Sequence, residues 1–109
     1  EDDLDVVTAV SGSGPAYFFL LAEQLAESAV RLGLEPVTAR QLAVATLHGA
    51  GCLAHGSDGD LGRLRAEVTS KGGTTEAALR SLAAAHFGDL VAAAVDAAVK
   101  RGRELAGVA

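Results

Sequence analysis

The chain has 109 residues and a net charge of −5, and half of its residues are apolar although only 4 % are aromatic. The acidic balance argues against a nucleic-acid partner, because binding to nucleic acid normally needs clustered Lys and Arg. Cys52 is the single cysteine, which excludes an internal disulfide and indicates a reducing compartment such as the cytoplasm. No run reaches the roughly 18 uninterrupted apolar residues of a membrane span, so we predict no membrane partner.

The length suits one domain, which we assign to residues 1–109. A chain of this size can bury roughly two-thirds of its unfolded surface. The length therefore permits a self-supporting core, and with so few aromatics Ala, Leu and Val must do most of the packing, which favours closely approaching helices. The chain contains no methionine, so we expect it to be a piece of a longer gene product.

The first predicted helix follows a short apolar stretch, residues 4–10, and the sequence SGSGP (11–15). Pro15 suits the first turn of a helix, and the run AYFFLLAEQLAESAVRL continues to Leu32. This helix is apolar around most of its circumference, with only a narrow polar stripe. A helix of that kind is usually buried on more than one side.

The second helix is predicted from Pro36 to about His55, with Thr38 as its N-cap. No segment has the alternating pattern of a strand, and no internal repeat is visible. We therefore predict an all-α fold, a bundle of about five helices. The remaining helices are predicted over residues 61–68, from Thr74 or Thr75 to Ala85, and from Phe87 to Leu105, with His86 at the start of the last.

One segment, VVTAVSGSGPAY (6–17), has the outline of a nucleotide-binding turn. The dinucleotide fingerprint requires a third glycine where Tyr17 stands, because helix and strand must pack closely there. No second strand with an acidic residue follows about 20 positions later. We favour a helix connection, and we predict no cofactor-binding residue within this chain.

Three potential metal ligands, His48, Cys52 and His55, lie at i, i+4 and i+7 on one predicted helical face. This spacing would suit zinc. A single helix rarely supplies every ligand, however, and no second cluster is present. We therefore predict no metal site, and we expect a partly buried thiol between two partly exposed histidines.

The loop TSKGGTT (69–75) has two adjacent glycines before the start of a helix. Glycines let a ligand approach the backbone, and the first helical turn offers unpaired N–H groups with a positive dipole end. These features suit a carboxylate better than a polyphosphate, since the Walker spacing is missing. Lys71 favours anion binding and Glu76 opposes it. The alternative is an ordinary capped loop with Thr74 as the N-cap.

Three blocks, VTAVSGSGPAYFFLLAEQLAESAVRLGL, EVTSKGGTTEAAL and AAVDAAVKRGREL, together strongly resemble the C-terminal domain of pyrroline-5-carboxylate reductases. The resemblance extends over nearly the whole chain. It implies an interlocked homodimer of helical domains, with NADPH or NADH bound by an N-terminal Rossmann domain that is absent here. It also implies hydride transfer to pyrroline-5-carboxylate, giving L-proline. By this resemblance the chain is expected to be inactive alone.

The resemblance assigns the substrate carboxylate to backbone amides and hydroxyls of the loop. Thr75 would lie near the ring nitrogen, which makes it the candidate catalytic residue. Lys71 departs from the family, where proline is usual at this position, so the loop is expected to be less rigid. The implied substrate-binding residues are Ser70, Gly72, Gly73, Thr74 and Thr75.

Two alternatives stay open from the sequence. The chain could be a purely structural helical dimerisation module whose loop only caps a helix. It could also be the C-terminal domain of another NAD(P)-dependent dehydrogenase with a different acid substrate. Assembly beyond a dimer and the preference between NADPH and NADH are left open as well.

Overall fold

A computed structural model describes residues 2–107, with the side chains of residues 3–107; Glu1, Val108 and Ala109 of the predicted domain lie outside the described residues. The all-α prediction is confirmed, since this range contains helices and no strand. The elements are α1 (Asp2–Val7), a π-helical turn (Thr8–Gly12), α2 (Gly14–Arg31), α3 (Pro36–His55), α4 (Leu61–Glu67), α5 (Thr74–Ala84) and α6 (Phe87–Leu105).

Most predicted helix boundaries are correct to within two residues. Helix α6 has the predicted bounds, and α4 and α5 each end one residue earlier than expected. The apolar stretch 4–10 is helical. His86 is the N-cap of α6 in the left-handed conformation, with φ 60°, and at this break α5 and α6 are bent by 57°.

The predicted N-cap of α3 is wrong, because the cap is Glu35 and not Thr38. The Glu35 carboxylate accepts hydrogen bonds from the backbone N–H groups of Val37 and Thr38, each at 3.1 Å. Pro36 is the reason, since its fixed φ suits the first helical position and places Glu35 just outside the helix. The Val37 N–H, then the Thr38 N–H, hold the pKa of Glu35 below its usual value.

The chain forms two compact units, and the first combines residues up to Gly14 with residues from Arg65 onward. Within it, α1 and the π-helical turn pack against α6, and Ala9 of the turn is buried. An ion pair between Arg103 Nε and Asp5 Oδ2, 3.5 Å apart, joins α6 to α1. Both side chains are partly shielded from solvent, and the pair connects the two ends of the unit.

The second unit, Pro15–Leu64, contains the helical pair α2 and α3. Small side chains, Ala39 and Ala43, are its buried apolar residues. Two grooves lie between the helices, with volumes of about 700 and about 570 Å³. Their walls are overwhelmingly apolar, with Phe19 and Val44 in the first and Phe18 and Leu25 in the second.

The self-supporting core that the chain length permits is not formed by the described residues. Their buried apolar members are three alanines, and no large side chain is fully buried. Phe18 and Phe19 on α2 are 59 % and 64 % exposed. Within a single chain the large apolar side chains of α2 and α3 are therefore left open to solvent.

Helix length and composition also bear on the membrane prediction. Over the described residues, one helical run, Asp3–Arg31, is long and apolar enough to cross a membrane, and α5 with α6 would pass the same test as one broken span. Core helices of soluble proteins pass it too. The exposed face of α2 is therefore compatible with either a lipid or a protein partner.

Candidate functional site

The loop before α5 contains a tight turn from Ser70 to Gly73. The Gly73 N–H donates to the Ser70 carbonyl at 3.0 Å. Gly72 has φ 73°, while Lys71 has no positive φ, which is the pattern of a type II turn with glycine at its third position. Lys71 therefore stands at the second position, the one that proline favours.

The second glycine is required for space and not for its φ. A Cβ on Gly73 would lie 3.2 Å from the Ser70 carbonyl oxygen, tighter than ordinary contact. Gly73 is also the N-cap of α5, with φ −90° and ψ −175° and no side chain to cap the helix. The alternative with Thr74 as the N-cap is wrong, since Thr74 is already the first helical residue.

The first turn of α5 presents unpaired donors. Its first helical amide bond runs from Ala77 N–H to the Gly73 carbonyl, at 3.2 Å. The N–H groups of Thr74, Thr75 and Glu76 precede it and have no partner among the described residues. Such groups carry the positive end of the helix dipole, which favours a small anion such as a carboxylate.

Three residues with hydroxyl side chains lie at or close to these amides in the sequence: Ser70, Thr74 and Thr75. Ser70 and Thr74 are exposed and Thr75 is half-buried. In the described part of the chain, none of the three hydroxyls has a hydrogen-bond partner. The structure therefore brings the predicted Ser70, Thr74 and Thr75 into one loop and helix start, with their donors available to a ligand.

The side-chain carboxylate of Glu76 accepts a hydrogen bond from one backbone amide of the loop. Glu76 Oε1 accepts from the Gly72 N–H at 3.0 Å and lies 3.2 Å from Arg80 Nη2. From the sequence, Glu76 was expected to oppose anion binding or, in a capped loop, to favour the helix dipole, and this bond was not foreseen. The available signal was a Glu at the third helical position, which commonly reaches back to an amide before the helix. The backbone amides of Gly72 and Gly73 therefore both have hydrogen-bond partners, which are Glu76 and Ser70.

The metal-ligand spacing on α3 does not produce a site. Cys52 Sγ lies 3.6 Å from His48 Nε2. No group of three potential ligands capable of holding a metal ion is found in the described part of the chain. Cys52 is exposed, so the expectation of a partly buried thiol is wrong, for the same reason that leaves the rest of this helix uncovered.

The segment with the outline of a nucleotide-binding turn is helical. Residues 2–12 form α1 and the π-helical turn, where a dinucleotide fold requires a strand. This segment therefore does not form the strand–turn–helix unit of a dinucleotide fold.

Comparison with known protein families identifies the kind of domain that contains this loop. Residues 1–105 match the family model for pyrroline-5-carboxylate reductase dimerisation. The chain belongs to this family. The resemblance seen in the sequence is thereby confirmed.

Individual relatives agree with the family assignment. A pyrroline-5-carboxylate reductase from Pseudomonas aeruginosa is 48 % identical over 106 residues, which cover 97 % of this chain and 39 % of the relative. One from Mycobacterium tuberculosis is 46 % identical and covers 96 % of this chain and 41 % of its own length. The chain thus spans about 40 % of the length of these relatives.

Solved structures show the same backbone. A pyrroline-5-carboxylate reductase from Coxiella burnetii has a TM-score of 0.91 at 44 % identity, covering 96 % of this chain and 39 % of the other. A pyrroline carboxylate reductase from Plasmodium falciparum, solved with NADP bound, has a TM-score of 0.88 at 35 % identity, covering 95 % of this chain and 40 % of the other.

Proposed function

We propose that residues 1–109 act as the dimerisation and substrate-carboxylate-binding domain of a pyrroline-5-carboxylate reductase, which reduces 1-pyrroline-5-carboxylate to L-proline. The observation that carries the substrate role is the start of α5, where the N–H groups of Thr74, Thr75 and Glu76 are unpaired in the described structure. The family and its relatives support the reductase role. We place the protein in the cytoplasm, in keeping with its single free cysteine.

The size of the cradle supports a carboxylate ligand. Three consecutive amides at a helix start can donate to two carboxylate oxygens, and the helix dipole adds attraction. Gly72 and Gly73 shape the turn, and the hydroxyls of Ser70 and Thr74 supply further donors. The substrate carboxylate would then lie against residues 74–76.

We assign Thr75 to the ring nitrogen. With the carboxylate fixed, a neighbouring hydroxyl can donate to or accept from the nitrogen of a five-membered imino acid and hold the C=N bond in one orientation. NADPH or NADH supplies the hydride; we propose that the part of the relatives not covered by this chain binds it. Thr75 is half-buried, which suits a positioned hydrogen bond.

We infer that a second copy of the chain, and not a membrane, covers the apolar faces of α2 and α3. The grooves between these helices are apolar and wide enough for side chains from another helix. The same polypeptide supplies such helices in a homodimer, where each copy both inserts and receives. The family is defined by dimerisation. Association of dimers into larger rings is compatible with this arrangement.

Kinetics of the complete reductase test the Thr75 assignment. Thr75→Ala is expected to lower kcat with pyrroline-5-carboxylate on the order of a hundredfold, the usual effect of losing one positioned donor. Thr75→Ser keeps the hydroxyl and should retain most of the rate. Equal rates for all three proteins would remove Thr75 from the mechanism. The 109-residue chain alone should show no reductase activity.

The strongest alternative is a structural module whose loop only caps α5. The bond from Gly72 N–H to Glu76 is the observation in its favour, because it satisfies a loop donor without any ligand. A structural module would dimerise normally, and the NMR signals of the amides of residues 74–76 would not shift when L-proline is added.

A further inference from the structure

The side chain of Glu76 makes two contacts that bear on the proposed carboxylate site. Glu76 Oε1 accepts the Gly72 N–H at 3.0 Å and faces Arg80 Nη2 at 3.2 Å. Glu76 is the third helical residue of α5, and Gly72 lies one residue before the N-cap. One oxygen atom therefore links the turn, the helix start and the next helical turn.

The bond to Gly72 restrains the loop where its backbone is least restricted. Gly72 has φ 73°, and glycine samples many conformations when nothing holds it. A hydrogen bond to an ionised carboxylate is among the stronger ones. With Gly72 held, the turn cannot swing across the three unpaired amides that follow it.

The charge of Glu76 would by itself repel a substrate carboxylate. Arg80 lies four residues later on α5 and forms an ion pair with it, an arrangement that favours close contact along a helix. The guanidinium offsets the negative charge at the cradle. The pair thus supplies the geometric restraint of a carboxylate without its full electrostatic penalty.

We propose that Glu76 is a positioning residue that clasps the Ser70–Gly73 turn for carboxylate capture, and that Arg80 neutralises it. This inference rests on the proposed function. It assigns roles to two residues that touch neither the ring nitrogen nor the hydride donor. In this proposal Glu76 helps to hold the anion site in shape, although its charge alone would oppose anion binding.

Amide hydrogen exchange and L-proline titration of the ¹⁵N-labelled full chain test the clasp. In Glu76→Ala, exchange at Gly72 should accelerate on the order of tenfold and L-proline affinity should fall by about the same factor. Glu76→Gln keeps an oxygen acceptor, so it should restore both to within about threefold. Arg80→Gln should leave Gly72 exchange unchanged but weaken L-proline about threefold, an effect that 1 M salt removes.

The matched control is Glu104→Ala, because Glu104 also pairs with an arginine at 3.2 Å, on α6. It should change neither Gly72 exchange nor L-proline affinity. Wild-type exchange at Gly72 in Glu76→Ala would overturn the clasp, as would equal L-proline binding by that variant. Failure of the wild-type protein to bind L-proline at all would instead reject the proposed function, and Gly72 exchange would still decide whether the clasp exists.

Discussion

The Ser70–Thr75 loop and the helical pair α2 and α3 differ in how complete each is within one chain. In the loop, neighbouring residues supply the turn, the glycine geometry and the bond from Gly72 to Glu76. In the helical pair, the buried apolar residues are two alanines, and the large side chains stand open to solvent. The loop is locally encoded, whereas the helical pair requires a partner.

This difference separates two jobs in one small domain. The residues proposed to meet a small ligand are held by contacts within about ten positions, so we expect their geometry not to depend on what covers the helices. Residues that meet another chain expose their apolar faces until it arrives, because burying area is what drives association. Variants in the two regions should consequently fail in different assays.

The largest effect is expected from a charge placed on the exposed face of α2. Leu25 is 51 % exposed in one chain and should be buried in the dimer. At roughly 2 kcal/mol for each leucine, Leu25→Glu should cost a symmetric dimer about 4 kcal/mol, or roughly a thousandfold in dissociation constant. Sedimentation velocity over a concentration series measures this directly.

Gln24→Glu is the control for that variant, because it adds the same charge on the neighbouring polar stripe of α2. Its dissociation constant should stay within a few-fold of the wild-type value. An unchanged dimer in Leu25→Glu would show that this face of α2 is not the interface.

The second effect concerns the ion pair between Asp5 and Arg103, which joins α1 to α6 at 3.5 Å. Removing one member of a shielded charged pair commonly costs about 1–3 kcal/mol, so Arg103→Ala should lower the free energy of unfolding by that amount. Arg101→Ala on the same helix breaks an exposed pair with Glu104 and should cost below about 1 kcal/mol. Urea unfolding at one fixed protein concentration compares them, and equal losses would refute the special role of Arg103.

The third effect tests the turn. Gly72→Ala forces a side chain onto a backbone with φ 73°, which costs about 1–2 kcal/mol. Gly88→Ala, in the first turn of α6 with open space around it, should instead stabilise by about 0.5–1 kcal/mol. Thermal unfolding should therefore shift in opposite directions. A stabilised Gly72→Ala would mean that the turn has another geometry.

A smaller, favourable effect is expected at Lys71. It occupies the second position of the turn, where proline fixes φ in advance, so Lys71→Pro should stabilise by about 0.4–1 kcal/mol. Lys71→Ala removes the charge without the restraint and separates the two contributions. L-proline affinity should rise with Lys71→Pro and fall slightly with Lys71→Ala, whereas an equal fall in both variants would show that the charge dominates.

The smallest effect depends on pH. Because the pKa of Glu35 is lowered in the folded state, first by the Val37 N–H, its charged form stabilises the cap of α3. This stabilisation is present above the ordinary pKa of 4.5 and is lost as pH falls through the lowered value. Glu35→Gln should therefore melt below the wild-type temperature at pH 7, and the two should converge as the pH falls through the lowered pKa of Glu35. A constant gap would contradict the account.

The sequence was sufficient for features set by local chemistry. The bounds of α6 and its start at His86 lie where periodicity put them, and the loop residues Ser70, Thr74 and Thr75 were recognised as one group. Features set by side-chain reach were missed. The Glu35 cap depends on a carboxylate folding back over two amides, and the bond from Glu76 to Gly72 depends on the same kind of reach.

The exposure of the large apolar side chains was hidden from the sequence for a different reason. Periodicity shows that a face is apolar but not which chain covers it, so the exposure of Phe18 and Phe19 could not be read from spacing. The all-round apolar character of α2 was the only warning, since one neighbour cannot bury every side of a helix.

Titration of the ¹⁵N-labelled chain with L-proline tests the central claim most directly, with L-prolinamide, which lacks the carboxylate, as the control ligand. The account predicts saturable shifts of the Thr74, Thr75 and Glu76 amides with L-proline and little change with L-prolinamide, while residues of α2 and α3 stay unaffected. Absence of any loop shift at tens of millimolar L-proline, or equal shifts with both ligands, would contradict carboxylate capture by this loop.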